Sequence, residues 1–148
     1  MVRPLGQDIH LSTLIRAPRE RVFEALTTAD GWNAWFTKGS EIDLRVGGIL
    51  KLRWVNWGPD QVTAEADCPI TVIEPPERFA FTWTPFDKNV PTEVTFELAE
   101  HQDGTVIELT ETGYVNSPQS LRSFMDCSAG WGEALTLLKM WLEHGVVY

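Results

Sequence analysis

The sequence predicts an α+β domain in which one long C-terminal helix closes over an antiparallel sheet. Three observations carry this. Leu121, Phe124, Ser128, Trp131, Leu135, Leu138 and Leu142 recur at alternating steps of three and four, which marks one face of a helix over roughly residues 117–144. Ahead of it lie several runs of alternating apolar and polar residues, the period of half-buried strands. Strands first and a long helix last define the class, because one sheet face then needs that helix as its cover.

The elements follow in order. Ile9, Leu11, Thr13 and Ile15 alternate with His10, Ser12 and Arg16, a first strand. Pro18 suits the first turn of a helix, whose apolar stripe is Val22, Phe23 and Leu26. Thr27 and Thr28 offer a cap for a second short helix holding Trp32 and Trp35. Residues 41–46 and 49–55 read as strands around the Gly47-Gly48 bend, and Asn56 to Asp60 as a turn. Residues 62–73 return, with an interruption expected at Cys68-Pro69 because proline cannot donate to a ladder. After the Pro75-Pro76 connection, Phe79, Phe81 and Trp83 alternate. Residues 93–99 and 105–112 then form a hairpin about Gln102-Asp103-Gly104. Ser117 and Pro118 supply the cap and first position of the final helix.

At 148 residues the chain reads as one domain spanning 1–148, with residues 1–7 expected as a flexible N-terminal segment. The net charge of −9, with no concentration of Lys and Arg, removes the electrostatic footprint of a nucleic-acid or anionic-membrane binder. Two cysteines without CxxC spacing, no apolar run of spanning length and no signal-peptide pattern give the expectation of a reduced, cytoplasmic protein. The three histidines are too dispersed for a metal site, and nucleophile-elbow or phosphate-loop motifs are missing. No cofactor, metal or catalytic constellation is therefore expected.

Seven Trp and seven Phe remain to be placed. Large apolar rings build cores, and they also line pockets for apolar ligands. Trp32, Trp35, Trp54, Phe81, Trp83, Phe96 and Trp131 are the candidate apolar wall, with Leu135 beside them on the helix. Ser128 breaks the helix seam with a small residue and suggests where room is left. Glu111 shares the parity of Ile107 and Leu109, so alternation can turn it inward, where desolvation would raise its pKa and suit it to general acid work. The ordinary expectation for a carboxylate at a strand end is solvation, and both readings stand at this point. Tyr114 can offer a hydroxyl to a ligand or pack beneath the helix. Arg53, sharing a strand face with Lys51, is expected outward.

The blocks IRAPRERVFEALTTADGWNAWF, DLRVGGIL, VIEPPERFAFTW, EVTFELAEHQDGTVIELTETGY and GWGEALTLL, in that order, resemble the SRPBCC (START-like, helix-grip) superfamily. Within it the chain is most similar to the family of activator of heat-shock protein 90 ATPase homologues, over about residues 9–142. The resemblance implies a curved sheet of about six or seven strands gripping the C-terminal helix, two short helices after the first strand, and a cavity between sheet and helix. It treats the Gly47-Gly48 bend, the Pro75-Pro76 turn and a close approach at Gly130-Trp131 as architectural. Relatives often carry a histidine where this chain has Glu111, so no role is carried over to that position. The function expected is non-catalytic binding of a small apolar or amphipathic molecule. The alternatives are a chaperone-associated or other protein-interaction module, with a homodimer contact among its forms, and a cyclase- or dehydratase-type enzyme using Glu111.

Overall fold

The structure, a computed structural model, describes residues 2–148. Its elements are β1 (Ile9–Ile15), α1 (Arg19–Thr27), α2 (Ala29–Trp35), β2 (Glu41–Ile42), β3 (Ile49–Trp57), β4 (Val62–Glu74), β5 (Arg78–Trp83), β6 (Thr92–His101), β7 (Gly104–Thr112) and α3 (Pro118–His144). The strands form one antiparallel sheet in the order β1-β7-β6-β5-β4-β3-β2. The helices cover one face of it, and a single apolar core lies between. This is the expected helix-grip architecture.

Register explains which residues reach the core. Ile9 pairs with Glu111, Glu111 with Val94, and Val94 with Phe81, so one row runs across β1, β7, β6 and β5. The next row is Leu11, Leu109, Phe96 and Phe79. Side chains in a row share a face, and these rows point at the helices. Glu111 is thus a carboxylate set within an otherwise apolar row.

Two glycines allow the chain to bend where the sheet needs it. A Cβ on Gly48 would stand 2.1 Å from the carbonyl oxygen of Asp43, and one on Gly104 would stand 2.2 Å from that of Ile15. The second closes the β6–β7 hairpin against the end of β1.

Several expectations are corrected. β2 spans only two residues, because Asp43 to Gly48 folds into a tight turn that Arg45 and Gly48 close through backbone bonds. β4 is not interrupted at Pro69. The missing N–H falls where β4 leaves β3: Ile49 pairs with Pro69, and Ile70 already faces Phe81 on β5. β3 also extends through Asn56 to Trp57 before it turns. Residues 3–5 lie against 114–116 through backbone bonds from Leu5 to Tyr114 and from Asn116 to Arg3.

α3 begins as anticipated, with the Ser117 side chain accepting from the Ser120 amide and proline in the first turn. Its seam differs at the start. Ser120 is fully buried, accepting from the Val115 amide, while Leu121 is turned outward. From Trp131 onward the helix buries Ala134, Leu135, Leu138 and Leu142 as the spacing requires. The helix is therefore anchored by its C-terminal half, and its N-terminal half leaves space above the sheet.

Candidate functional site

The space opens where four aromatic rings from four elements meet. Phe36 ends α2, Trp54 lies on β3, Trp83 closes β5 and Trp131 sits mid-way along α3. Their centroids form a closed circuit, with separations of 5.6 Å (Phe36–Trp54), 6.1 Å (Trp54–Trp83), 5.9 Å (Trp83–Trp131) and 6.5 Å (Phe36–Trp131). Steep interplanar angles set the rings edge-to-face or tilted instead of stacked on one another. These rings, together with Asp126, Cys127 and Gly130, line a recess of about 170 Å³. Larger surface recesses exist, but charged and solvent-facing side chains line them, as in the groove between Arg19, Arg78 and the surrounding glutamates.

Gly130 is what keeps the recess open. A Cβ there would meet no heavy atom within 4 Å, and neither would one on Gly132. The approach to the sheet expected at Gly130-Trp131 is made by the Trp131 indole, which reaches Glu111 on β7, while Gly130 itself borders open space. Glycine inside a helix costs about 1 kcal/mol relative to alanine. Here that cost is not required by packing.

Behind the recess lies a polar cluster around Glu111, which is fully buried. Trp131 Nε1 donates to Glu111 Oε1 at 2.9 Å, and Thr92 Oγ1 donates to Oε2 at 2.8 Å. The strand-end solvation otherwise expected for this carboxylate is ruled out by its complete burial in a row with Ile9 and Val94. Burial pushes its carboxyl above the ordinary 4.5, against the opposing hydrogen bonds from Thr92 and Trp131. The Tyr114 hydroxyl stands near Glu111 and Cys127, and burial pushes its own pKa up, yet it makes no hydrogen bond of good geometry. The Trp83 indole N–H, close to the Cys127 thiol, is likewise buried without a proper partner. Burial, reinforced by the Glu111 carboxylate, raises the Cys127 thiol, and burial pushes Cys68 up to about 12. Neither thiol is an activated nucleophile at neutral pH.

The candidate wall therefore divides. Trp54, Trp83 and Trp131 line the recess together. Trp32 and Trp35 do not: their indoles donate to the carbonyls of Leu26 and Ala25 at the end of α1, inside the core. Phe81 and Phe96 pack behind Trp131 at 6.5 and 6.2 Å, and Leu135 lies one turn further into the core. Ser128 turns its hydroxyl back to the Phe124 carbonyl and does not line the space. Glu111 and Tyr114 stand one layer behind it. Arg53 faces outward and pairs with Glu65 at 3.4 Å. Sequence reasoning missed Phe36, Asp126, Cys127 and Gly130. The spacing 127, 130, 131 is itself helical, and following it instead of 128 would have found three of the lining positions.

With Glu111 raised by burial, the folded protein holds its proton more tightly than the unfolded chain. Stability at this group is then greatest below the ordinary carboxylate range and declines as pH rises through the folded value. Glu111→Gln removes the titration. In urea unfolding at a series of pH values, the stability of the natural protein relative to Glu111→Gln should fall as pH climbs above about 4.5. A difference that stays level, or grows with pH, contradicts a desolvated carboxyl.

The architecture has counterparts among known proteins. The family described as activator of Hsp90 ATPase homolog 1-like protein matches residues 16–143, and the chain belongs to it. No curated protein sequence matches significantly. Among solved structures, a Staphylococcus saprophyticus protein is 27% identical with a TM-score of 0.77, covering 96% of each chain. CalU16 from Micromonospora echinospora is also 27% identical, with a TM-score of 0.73 over 96% of this chain and 80% of its own. The Aha1 dimer from Colwellia psychrerythraea shares the fold at 23% identity and a TM-score of 0.78, over 94% of this chain and 98% of that one. No helix among the described residues is long and apolar enough to cross a membrane.

Proposed function

We propose that this protein binds a small apolar or amphipathic molecule between the sheet and α3 without transforming it. The observation that carries the reading is the circuit of Phe36, Trp54, Trp83 and Trp131 around a recess that Gly130 leaves unfilled. Close-packed interiors do not ordinarily keep such room beside four large rings. A volume of about 170 Å³ is close to that of an apolar cavity able to hold a benzene ring, roughly 150 Å³. The ligand portion that enters is thus about one ring in size.

An enzymatic role for Glu111 fits less well. Both of its oxygens are occupied by protein donors, and the carboxyl stands behind Trp131 instead of lining the recess. Its arrangement suits positioning of the Trp131 indole. A protein-interaction role has one observation of its own: Leu44 and Val46, at the β2–β3 turn, stand 45% and 64% exposed. Neither residue lines the recess, so the two readings can be tested separately.

Titration with isopropylbenzene, followed by the indole N–H signals in ¹⁵N-resolved NMR, tests the binding reading. The signals of Trp54, Trp83 and Trp131 should move together and saturate, while the core signals of Trp32 and Trp35 move little. Indole signals that all stay still up to the solubility limit of the hydrocarbon overturn it.

A further inference from the structure

The recess has an inner end and a mouth, and burial tells them apart. Phe36 and Trp131 are buried, while Trp54 and Trp83 are half-buried and Asp126 is exposed. The inner surface is apolar, and its volume of about 170 Å³ takes roughly one ring. A molecule of that size finds no polar partner inside, so any charged group it carries stays at the mouth, in reach of water. What stands at the mouth then decides which head group is accepted.

Among the described residues that line the recess, Asp126 is the only charged one, and no Lys, Arg or His joins it. It lies one turn ahead of Gly130 on the same stripe of α3, and no side chain at 130 separates it from the space. Asp126 forms no ion pair among the described residues. Arg122, a further turn back on α3, does not line the recess. The net charge of −9 adds a long-range field of the same sign. A carboxylate head at this mouth meets a like charge and no cation, whereas an ammonium head gains a partner.

Resting on the binding reading above, we infer that the ligand is an amphipathic amine, its apolar group seated in the recess and its protonated nitrogen paired with Asp126 at the mouth. The apolar group is about one ring in size, which makes arylalkylamines the chemical class. Aryl carboxylates of the same shape are disfavoured by charge, and larger fused systems by volume. Because Asp126 is exposed, its pair with the ligand has the strength of a surface ion pair. The rings supply most of the affinity, and Asp126 sets the preference among head groups.

Three probes with one ring and different heads isolate the charge: phenethylammonium, phenethyl alcohol and phenylacetate, titrated at neutral pH and followed by the indole N–H signals. Phenethylammonium should bind about threefold more tightly than phenethyl alcohol, the scale of one exposed ion pair, and phenylacetate about threefold more weakly. Sodium chloride at about 1 M, where the screening length falls to roughly 3 Å, should draw the three affinities together. Asp126→Asn, at an exposed position, should do the same at low salt. Glu133→Gln is the control: it removes an equal charge from an exposed position on α3 that does not line the recess, and should leave the order unchanged. Phenethylammonium binding no more tightly than phenethyl alcohol overturns this inference. So does an order indifferent to salt, unchanged in Asp126→Asn, or lost equally in Glu133→Gln. In each of these cases continued binding of phenethyl alcohol leaves the binding reading intact. Failure of all three probes and of isopropylbenzene to bind overturns both.

Discussion

Gly130→Leu should abolish ligand binding while leaving the fold intact or more stable. Position 130 lies inside α3, where glycine is the poorest ordinary helix former, and a Cβ there touches nothing. Gly130→Ala alone should therefore stabilise the protein by about 0.5–1 kcal/mol. Leucine extends further and fills the space that Phe36, Trp54, Trp83 and Trp131 surround. Isopropylbenzene affinity should fall by at least tenfold, about 1.4 kcal/mol. Gly132→Leu is the control: it lies on the same helix and also meets open space, but it does not line the recess. Binding retained in Gly130→Leu, or lost equally in Gly132→Leu, would show that the recess is not where the ligand sits.

The second large effect is on stability, at Trp131. Its indole carries two roles, as a wall of the recess and as the donor to Glu111 Oε1. Trp131→Phe keeps most of the ring but removes the donor, leaving a buried carboxyl oxygen unpaired at a cost of about 1–3 kcal/mol. Trp131→Ala adds the loss of packing against Phe81, Phe96 and Trp83, for about 3–5 kcal/mol in all. The Trp131→Phe cost should deepen as pH rises, because an ionised Glu111 depends more on that N–H than a neutral one does. Combining Trp131→Phe with Glu111→Gln should cost less than the sum of the two, since each change disables the same contact. Additive costs, or a Trp131→Phe cost that does not vary with pH, would place the indole–carboxyl bond outside the stability of the fold.

The elements of this fold were legible because their signals were periodic. The α3 cap at Ser117-Pro118, the strand parity of Ile9 to Ile15 and the turn at Asp103-Gly104 each state local geometry that tertiary packing respected. Errors arose where packing overrode local pattern. Residues 43–46 have strand-like composition, yet the turn closed by Gly48 takes them out of the sheet. Pro69 looked like a breaker, and it sits where a strand changes neighbours and no donor is needed.

The recess was only half legible, for a related reason. Aromatic residues announce themselves, but composition does not separate Trp35, sealed against the Ala25 carbonyl, from Trp54 at the rim. That distinction depends on which elements converge. Glu111 illustrates the same gap. Its parity pointed inward, but only the packing of Trp131 from α3 onto it shows that it is fully enclosed. The room itself was sought at Ser128, by the logic that a small polar residue leaves a gap. The serine hydroxyl closes back on the Phe124 carbonyl, and the gap lies at Gly130, two residues on.

The most direct measurement is a crystal structure of the protein soaked to saturation with isopropylbenzene. A single ring in density among Trp54, Trp83 and Trp131, beside Gly130, is the outcome that a binding recess between sheet and α3 requires. An empty recess at saturation, or a probe bound only elsewhere on the surface, would contradict it.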